Sequence, residues 1–425
     1  MPGSPQELQD FSAVLKNVYL PVRKKAFPLM TPLLSAARRG NPKTFKYGGN
    51  DIFFDVKLGR RAGFVASASG FLPHSKTAVE KQGRLSIART YATVMVDGLA
   101  VKAGPGDRET FIPIVKKVVE DATDQWQLEQ NRILHGDSLA IRATITAVTS
   151  TSVVEVENPY GISGAGPGNL HLEVTEDIAV LSSDGATQRG KTEIQSITLS
   201  GDTATITYTG TVAGQSTGDL IVSCVPTSVN STDTSFGAEP HGLKSIMDVE
   251  AAFGTFEGLK DDRWVAQKLT STTLDETIVM RLLNTIRARA GVDWRTNPNA
   301  MLLLTTTGIW QKYGDSLLGL RRFDAPTMKL MGGFNGVGVA GAALLDDPWC
   351  PRGRLYAIHT PDTVFIDLMD WKELQYQDAP RWRLAQNQDA WEAIFGSYWN
   401  YGALMRSSQG VISGVTDTVN FSPVF

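Results

Sequence analysis

Residues 107–135 read DRETFIPIVKKVVEDATDQWQLEQNRILH and predict the longest helix of the chain. Asp107 or Thr110 can cap its start, which keeps Pro113 near the first turn, and Gly136 can end it. At 1.5 Å per residue the helix spans roughly 40 Å, more than a typical helix of a compact domain. It is expected to serve as a spine, with one apolar face at helical spacing: Ile112, Val115, Val119, Ala122, Trp126 and Ile133.

Upstream of this spine, residues 44–97 predict an extended two-stranded loop. Apolar residues alternate from Ile52 to Leu58 and again from Leu85 to Thr93, and glycine, alanine and serine fill the tip between them. A two-stranded ribbon is only marginally stable alone in water, so the loop is expected to need a partner surface. A hairpin packed on its own domain is the alternative.

Residues 1–43 predict an N-terminal arm. The apolar spacing from Phe11 to Val18 allows a short helix there. After it, prolines are expected to interrupt any regular structure: Pro21, Pro28, Pro32 and Pro42.

Charge is distributed very unevenly along the chain. Residues 1–91 contain 15 of the 41 Lys and Arg but only 5 of the 44 Asp and Glu, a balance of +10 against −13 for the remainder. Complementary potentials orient association, so the cationic limb of one copy is expected to lie on the anionic body of another. Phosphate binding by the limb is the alternative, and the acidic remainder disfavours it. The cations predicted to contact neighbouring subunits are Arg60, Arg61, Lys76, Lys81 and Arg84 in the extended loop, and Arg23, Lys24, Lys25, Arg38 and Arg39 in the arm.

Downstream of the spine, residues 140–236 predict an all-β insertion. A chain of 425 residues exceeds what one hydrophobic core usually supports, so two or three domains are expected. Thr, Val, Ser and Gly dominate this segment, and turn signals separate six short strands at even spacing, which is typical of a small sandwich or barrel. The predicted strands are Ile141–Thr149, Ser152–Glu157, Ile178–Ser182, Ile194–Leu199, Ala204–Thr209 and Leu220–Val225.

Residues 237–425 predict a return to mixed α and β structure. Leu274–Ala290 has the pattern of an amphipathic helix stopped by Gly291, and a second helix runs through Trp310 and Leu318. An aromatic cluster from Trp371 to Tyr401 is expected to form core or a subunit contact, more commonly than a ligand cage. The predicted strands are Met301–Leu304, Phe334–Ala340, Leu355–His359 and Val364–Asp367.

No enzyme activity, cofactor or metal is predicted. The residues from Gly336 to Gly341 match the dinucleotide pattern G-x-G-x-x-G, but no long helix is expected after them, so a bend between short strands is favoured. The adjacent pairs Asp261–Asp262 and Asp346–Asp347 point their side chains apart and are expected to lie in solvated loops. Two cysteines far apart, Cys224 and Cys350, and five scattered histidines show no metal-ligand spacing.

No membrane or export segment is predicted. No run approaches the roughly 20 apolar residues that span a bilayer. The first residues lack the basic and apolar regions of a signal peptide, so synthesis in a cytoplasm is expected.

The order of these elements resembles the major capsid protein of tailed double-stranded DNA bacteriophages, which has the HK97 fold. That family has an N-terminal arm, an extended loop, a spine helix, and peripheral and axial domains. The C-terminal half carries a further likeness: a Gly-rich strand, then an aspartate with a Pro/Gly turn, then further strands. Here these are FNGVG at 334–338, LDDP at 345–348, GRLYAI at 353–358 and YWNYGAL at 398–404.

The resemblance implies an α+β HK97-like capsid fold with a barrel-like insertion. It implies six segments: the arm (1–43), the extended loop (44–97), the spine helix with peripheral domain (98–139), the β insertion (140–236), an axial domain with peripheral return (237–370) and a C-terminal peripheral and axial segment (371–425).

The function implied is self-assembly into hexamers and pentamers of an icosahedral phage head, put together in the host cytoplasm. The expected partners are other copies, scaffolding and portal proteins, a decoration protein, and packaged double-stranded DNA by proximity. In some members a loop lysine cross-links to a neighbour's asparagine, for which Lys76 and Lys81 are available. The alternatives are an encapsulin-type compartment with enzyme cargo, another phage structural protein of the tail or decoration, and an enzyme using the Gly-rich loop.

Overall fold

A computed structural model describes most of the chain. The described residues are 31–40, 42–43, 51–57, 69–71, 74, 80–98, 107–226, 229–247, 264–297, 300–318, 327–329, 335–339, 342–375, 382–385 and 389–417. Within these, only the backbone is described at 39–40, 42–43, 81, 107–116, 317–318, 327–329 and 335–337.

The helices include the predicted spine, which runs over the residues expected for it. The helix predicted before Gly291 starts two residues later than expected, because Asp275 caps it by accepting a hydrogen bond from the amide of Ile278. Gly291 then ends it in the left-handed conformation at φ 73°. The helices of the described residues are α1 Pro32–Gly40, α2 Asp107–His135, α3 Leu243–Met247, α4 Glu276–Ala290 and α5 Thr307–Leu318.

The strands of the described residues form one closed barrel, two open sheets of five and seven strands, and a separate two-stranded ribbon. They are β1 Pro42–Lys43, β2 Asp51–Lys57, β3 Glu80–Ser86, β4 Ala88–Asp97, β5 Ile141–Val148, β6 Val153–Glu157, β7 Asp177–Leu181, β8 Gln188–Ser200, β9 Thr203–Tyr208, β10 Leu220–Ser223, β11 Gln267–Thr270, β12 Met301–Thr305, β13 Thr327–Lys329, β14 Asn335–Val339, β15 Ala342–Asp346, β16 Arg354–His359, β17 Thr363–Glu373, β18 Arg383–Leu384, β19 Ala390–Ala403 and β20 Gly410–Ser413.

A seven-stranded sheet of mixed direction forms the centre of the C-terminal half, in the order β11-β20-β16-β12-β15-β14-β13. Its central strand β12, MLLLT, is buried on both faces, as a near-continuous apolar run requires. Helices α4 and α5 cover one face through Leu283, Ile286 and Ile309. The other face joins the core that also contains α1 and the end of α2.

A second sheet carries the spine helix. Its strands are ordered β1-β17-β19-β18, and β4 pairs with β19 as well. The C-terminal aromatic residues lie here: Trp399 and Tyr401 are buried, and Trp371 stacks between Trp126 of the spine and Phe395 at centroid distances of 5.0 and 5.4 Å. The interpretation of the aromatic cluster as core is confirmed for these residues.

The predicted β insertion is a closed six-stranded barrel in the order β10-β5-β6-β9-β8-β7. Closure pairs every strand on both sides and removes free edges. Inward side chains such as Val154, Ile178, Ile206 and Ile221 fill the interior and are fully buried. The barrel therefore has a packed core of its own.

The sequence expectations differ from the structure at three N-terminal places. Pro32 does not interrupt regular structure but begins helix α1, a position where its missing N–H costs nothing. Pro42 likewise begins strand β1, which pairs with β17 at the edge of its sheet, where a proline is tolerated. The residues from Leu85 to Thr93 are not one strand: β3 pairs with β2 in the ribbon, whereas β4 leaves at Ile87 to pair with β19. The helix expected from Phe11 to Val18 lies outside the described residues.

The described residues of the Gly-rich stretch, 336–339, lie in strand β14, whereas the sequence favoured a bend between short strands there. Strand β14 pairs antiparallel with β15, and Val337 lies opposite Leu344. On its other side β14 pairs with β13. Since the stretch leads from one strand into its hairpin partner, it lacks the strand-to-helix turn that a dinucleotide site requires.

Candidate assembly site at the junction of arm, ribbon and spine

One hydrophobic core joins the three elements that the sequence assigned to assembly. It contains Leu33 and Leu34 of α1, Leu85 of the ribbon, and Ile133 and Leu134 at the end of the spine helix, all nearly or fully buried. The base of the ribbon and the described part of the arm are therefore anchored in the body of their own chain. Burial of this kind contributes about 1.5–3 kcal/mol per large apolar side chain.

Polar contacts fasten α1 to the spine helix. The amide of Leu34, which lacks a partner within the first turn of its helix, donates to Oδ1 of Asn131 at 3.1 Å. The guanidinium of Arg38 donates to Oε1 of Gln130 at 2.8 Å and lies 5.2 Å from the ring centre of Trp126. It also lies 3.5 Å from a carboxylate oxygen of Asp370. In the folded chain Arg38 thus has partners of its own, and its predicted contact with a neighbouring subunit stays a prediction.

A carboxyl with a raised pKa lies beside this fastening. Burial raises the pKa of Asp367 to about 6, the negative charge of Asp370 adds to the rise, and Arg38 opposes it. The arm is thus held next to a group that titrates close to neutral pH.

The inner face of the ribbon of β2 and β3 packs on the core through Ile52 and Phe54, whereas its outer face is exposed. In the described part of the chain its sheet has two strands only, and Phe53 is 57% exposed on the outer face. Arg84 pairs with Asp51 at 2.8 Å across the two strands, with half of its side chain exposed. Gln82 donates to Asp55 at 3.3 Å on the same ribbon. These contacts hold the base of the ribbon in register.

The other predicted contact residues have no described side chains. Arg23, Lys24, Lys25, Arg60, Arg61 and Lys76 lie outside the described residues, and at Arg39 and Lys81 only the backbone is described, in α1 and β3. The structure therefore brings Arg38 to the spine and Arg84 to the ribbon base, and leaves the predicted roles of the set as predictions.

Asp347 is the buried centre of the junction, although the sequence placed it in a solvated loop. Its carboxylate is fully buried and accepts hydrogen bonds from Nδ2 of Asn131 at 3.2 Å and from the amide of Trp349 at 3.0 Å. Nε2 of His135 lies 3.0 Å from the same carboxylate. That expectation is wrong because the spine helix ends against the turn after β15 and covers it. Asp261 and Asp262 lie outside the described residues.

A charged seam joins the spine helix to the barrel. Glu129 accepts hydrogen bonds from Arg132 at 2.8 Å and from Arg142 of β5 at 2.7 Å, and Arg132 also pairs with Glu239. Burial alone would raise the pKa of the Glu129 carboxyl, but the two guanidinium groups outweigh it and hold that pKa well below its usual range. The seam lines a cleft of about 330 Å³ together with His171.

The barrel is also attached to the turn that contains Asp347. Both terminal guanidinium nitrogens of Arg352, Nη1 and Nη2, donate to the carboxylate of Asp202, at 2.9 and 2.8 Å. The hydroxyl of Tyr160 donates to the carbonyl of Trp349 at 2.9 Å, and the ring of His171 packs on Tyr160 at 4.3 Å. Burial lowers the pKa of His171 well below its usual value, and the two nearby arginines add to that effect, so the ring is neutral at pH 7.

This arrangement fixes the relative positions of arm, ribbon, spine and barrel. Among the described residues no three His, Cys, Asp or Glu side chains are grouped so that they could hold a metal ion. None of the helices in the described part of the chain is both long enough and apolar enough to cross a membrane. The junction consists of apolar contacts, hydrogen bonds and ion pairs between elements far apart in sequence.

Comparison with known proteins identifies the fold. No family model and no curated protein matches this sequence. Among solved structures, the chain is similar to the "Cyanophage A-1(L) capsid asymmetric unit", with a TM-score of 0.54, 14% identity, and coverage of 95% of this chain and 98% of that chain. It also matches the capsid of a native GTA particle (TM-score 0.48, 7% identity, coverage 95% and 97%) and the holo-SrpI encapsulin complex from Synechococcus elongatus PCC 7942 (TM-score 0.47, 8% identity, coverage 100% of both). The likeness to the cyanophage capsid extends over nearly the whole of both chains, so the predicted HK97-like capsid fold is confirmed.

Sequence reasoning missed the polar junction almost completely. Glu129, Arg132 and His135 lie on the spine helix at spacings of three residues, which places them on one face beside Ile133. Charged residues adjoining an apolar face near the end of a helix were the available signal. Their partners Asp347 and Arg142 come from distant segments, and no local pattern pairs them.

Proposed function

We propose that this protein is the major capsid protein of a tailed double-stranded DNA bacteriophage. In this proposal it assembles into hexamers and pentamers that close into an icosahedral head around the genome. The observation that carries the proposal is the ribbon: a two-stranded element, rooted by Leu85 in the main core, on which Phe53 is 57% exposed and is not covered by another element of the described residues. An isolated ribbon gains stability from a neighbouring surface, which a second copy supplies in a shell.

We also propose which sheet belongs to which predicted domain. We assign the sheet of β4, β17 and β19 with the spine helix to the peripheral domain, and the seven-stranded sheet with α4 and α5 to the axial domain that packs around each capsomer centre. The barrel would form a separate module, attached at the Asp347 turn. The basic arm and loop would lie on acidic surfaces of neighbours, with scaffolding, portal and decoration proteins as further partners during assembly in the host cytoplasm.

Electron microscopy of the purified chain tests this function. The full-length protein is expressed alone and imaged by negative stain in low and high salt. Closed polyhedral shells, or capsomer rings that close when salt falls, are expected because exposed charge pairing between copies is screened by salt. The same imaging after co-expression with the neighbouring genes shows whether a scaffolding protein is required.

Two outcomes contradict the proposal. A small uniform particle in every condition, including co-expression, excludes a shell protein. Shells that contain a co-purified enzyme and no DNA, when isolated from the native source, indicate a compartment in place of a phage head.

A further inference from the structure

The outer face of helix α4 is basic, although residues 92–425 as a whole carry a net negative charge. Helix α4 contains Arg281, Arg287 and Arg289 and one acid, Glu276 at its first position, whereas residues 92–425 as a whole have a balance of −13. The buried face of the helix packs on the seven-stranded sheet through Leu282 and Ile286. On the opposite face the side chains of Arg281, Asn284 and Arg289 are exposed, and no element of the described residues covers them.

Two of these arginines have no ion-pair partner among the described residues. Arg287 pairs with Asp293 at 3.2 Å, close to the end of the helix. Arg281 and Arg289 are both exposed and line one open groove of about 590 Å³ along the helix, with Asn284 between them. The helix dipole stabilises cations in the last turn of a helix. This explains the position of Arg289 in part, but not that of Arg281, which lies two turns earlier.

We infer that this face of α4 binds the phosphate backbone of double-stranded DNA without sequence specificity. This inference rests on the proposed function, in which DNA fills the shell. Arg281 and Arg289 are eight residues apart, or about 12 Å along the helix axis, comparable to the ~12 Å width of the major groove. The planar guanidinium matches phosphate oxygens in a bidentate manner, and the amide of Asn284 adds a neutral donor between the two charges.

The experiment measures DNA affinity as a function of salt. A fluorescently labelled 20-base-pair duplex is titrated with unassembled full-length protein, and anisotropy gives the binding constant between 50 and 300 mM salt. The slope of log K against log salt is negative, and each lost phosphate contact makes it shallower by about 0.9. R281Q/R289Q is expected to make it shallower by about 1.8, with an affinity loss of tens of fold at 100 mM salt.

Matched variants distinguish an effect of this site on DNA binding from an effect of the total charge of the chain. K117Q/K372Q removes two exposed positive charges from the spine and from β17, and is expected to leave the slope unchanged. R281K/R289K keeps the charge and is expected to keep the slope. A288E places a carboxylate between the two arginines and is expected to weaken binding as well, which gives an independent second variant.

The following results would overturn the inference. One is a parent protein that binds no DNA, and another is an R281Q/R289Q slope equal to that of the parent. A third is loss of capsomers in R281Q/R289Q but not in K117Q/K372Q, since the face would then contact another copy of the chain. The proposed function fails separately, by the absence of shells for the parent protein in electron microscopy.

Discussion

Replacing Asp347 by asparagine is expected to loosen the junction of spine, arm and barrel. The carboxylate accepts from Asn131, from the amide of Trp349 and from His135, and it is fully buried. An amide of the same shape has one acceptor oxygen and one donor nitrogen. Whichever way it turns, its NH₂ group faces the NH₂ group of Asn131 or the N–H of Trp349.

The magnitude follows from the loss of at least one buried hydrogen bond and the burial of a donor against a donor. An unsatisfied buried polar group costs about 1–3 kcal/mol, so a loss of roughly 2–4 kcal/mol in the free energy of unfolding is expected for Asp347→Asn. Rotation of Asn131 cannot relieve the clash without cost, because its Oδ1 already accepts from the amide of Leu34 in α1. The perturbation should therefore reach the arm.

Asp346→Asn is the matched control. The neighbouring carboxyl is only part-buried, and it accepts one hydrogen bond, from the hydroxyl of Thr307 at 3.1 Å. Its substitution is expected to cost less than about 1 kcal/mol. The two variants carry the same chemical change one residue apart, so a difference between them reports the environment of Asp347.

Thermal unfolding of the unassembled chain and hydrogen exchange measure the effect. Asp347→Asn should lower the melting temperature by several degrees, and the amides of Leu34 and Trp349 should exchange faster. Asp346→Asn should change neither. Equal melting temperatures for the two variants, or unchanged protection at Leu34, would refute the view of Asp347 as the centre of the junction.

Three further predictions concern charge. Arg142→Met is expected to lower the free energy of unfolding by about 1–3 kcal/mol, because Glu129 of the spine then keeps Arg132 but loses Arg142 as a partner. Faster proteolysis between barrel and spine would report this loss, and an unchanged cleavage rate would contradict it. The pKa of Asp367 is raised to about 6, so the folded chain binds this proton more tightly than the unfolded chain, and the stability it contributes is lost as pH rises through about 6. Asp367→Asn should therefore raise the melting temperature above pH 7 and leave it nearly unchanged at pH 4, and a larger gain at pH 4 would reverse the assigned sign. Reversal of Arg60, Arg61 and Arg84 to Glu should leave a folded chain that does not close shells, and normal shells in electron microscopy would remove the electrostatic basis of the ribbon contact.

Periodicity predicted the elements whose structure is determined locally. The spine helix needed only its apolar repeat and Gly136, and the barrel strands needed only alternation and turn residues. Helix α1 was missed because Pro32 was treated as an interruption, although a proline at the first helical position is compatible with a helix. The division of β3 from β4 at Ile87 was missed because both strands alternate in the same way. Only pairing with β19, some 300 residues later, separates them.

The polar junction was beyond the sequence for a different reason. A carboxylate in the turn after β15 is predicted to be exposed when its neighbours are Asp, Pro and Trp. It is buried only because the spine helix packs on it in the tertiary fold. The contacts between Asn131 and Asp347 join positions 216 residues apart. Charge and hydrogen-bonding capacity are visible in a sequence, but the partner that satisfies them is determined by the tertiary fold.

The ion pairs of the described residues bear on which cations can contact a neighbouring subunit. Arg84 already neutralises Asp51 on its own ribbon, and Arg38 already meets Gln130 and Asp370. An Arg84→Glu substitution therefore places two carboxylates side by side and can distort the ribbon before any neighbour is involved. The swap Asp51→Arg with Arg84→Glu restores the pair and keeps the net charge of the chain. If shells form with the swap but not with Arg84→Glu alone, Arg84 acts by stabilising the ribbon. The charge that orients association then belongs to other cations of residues 1–91. If the swap also prevents closure, the cation at position 84 itself meets the neighbouring subunit.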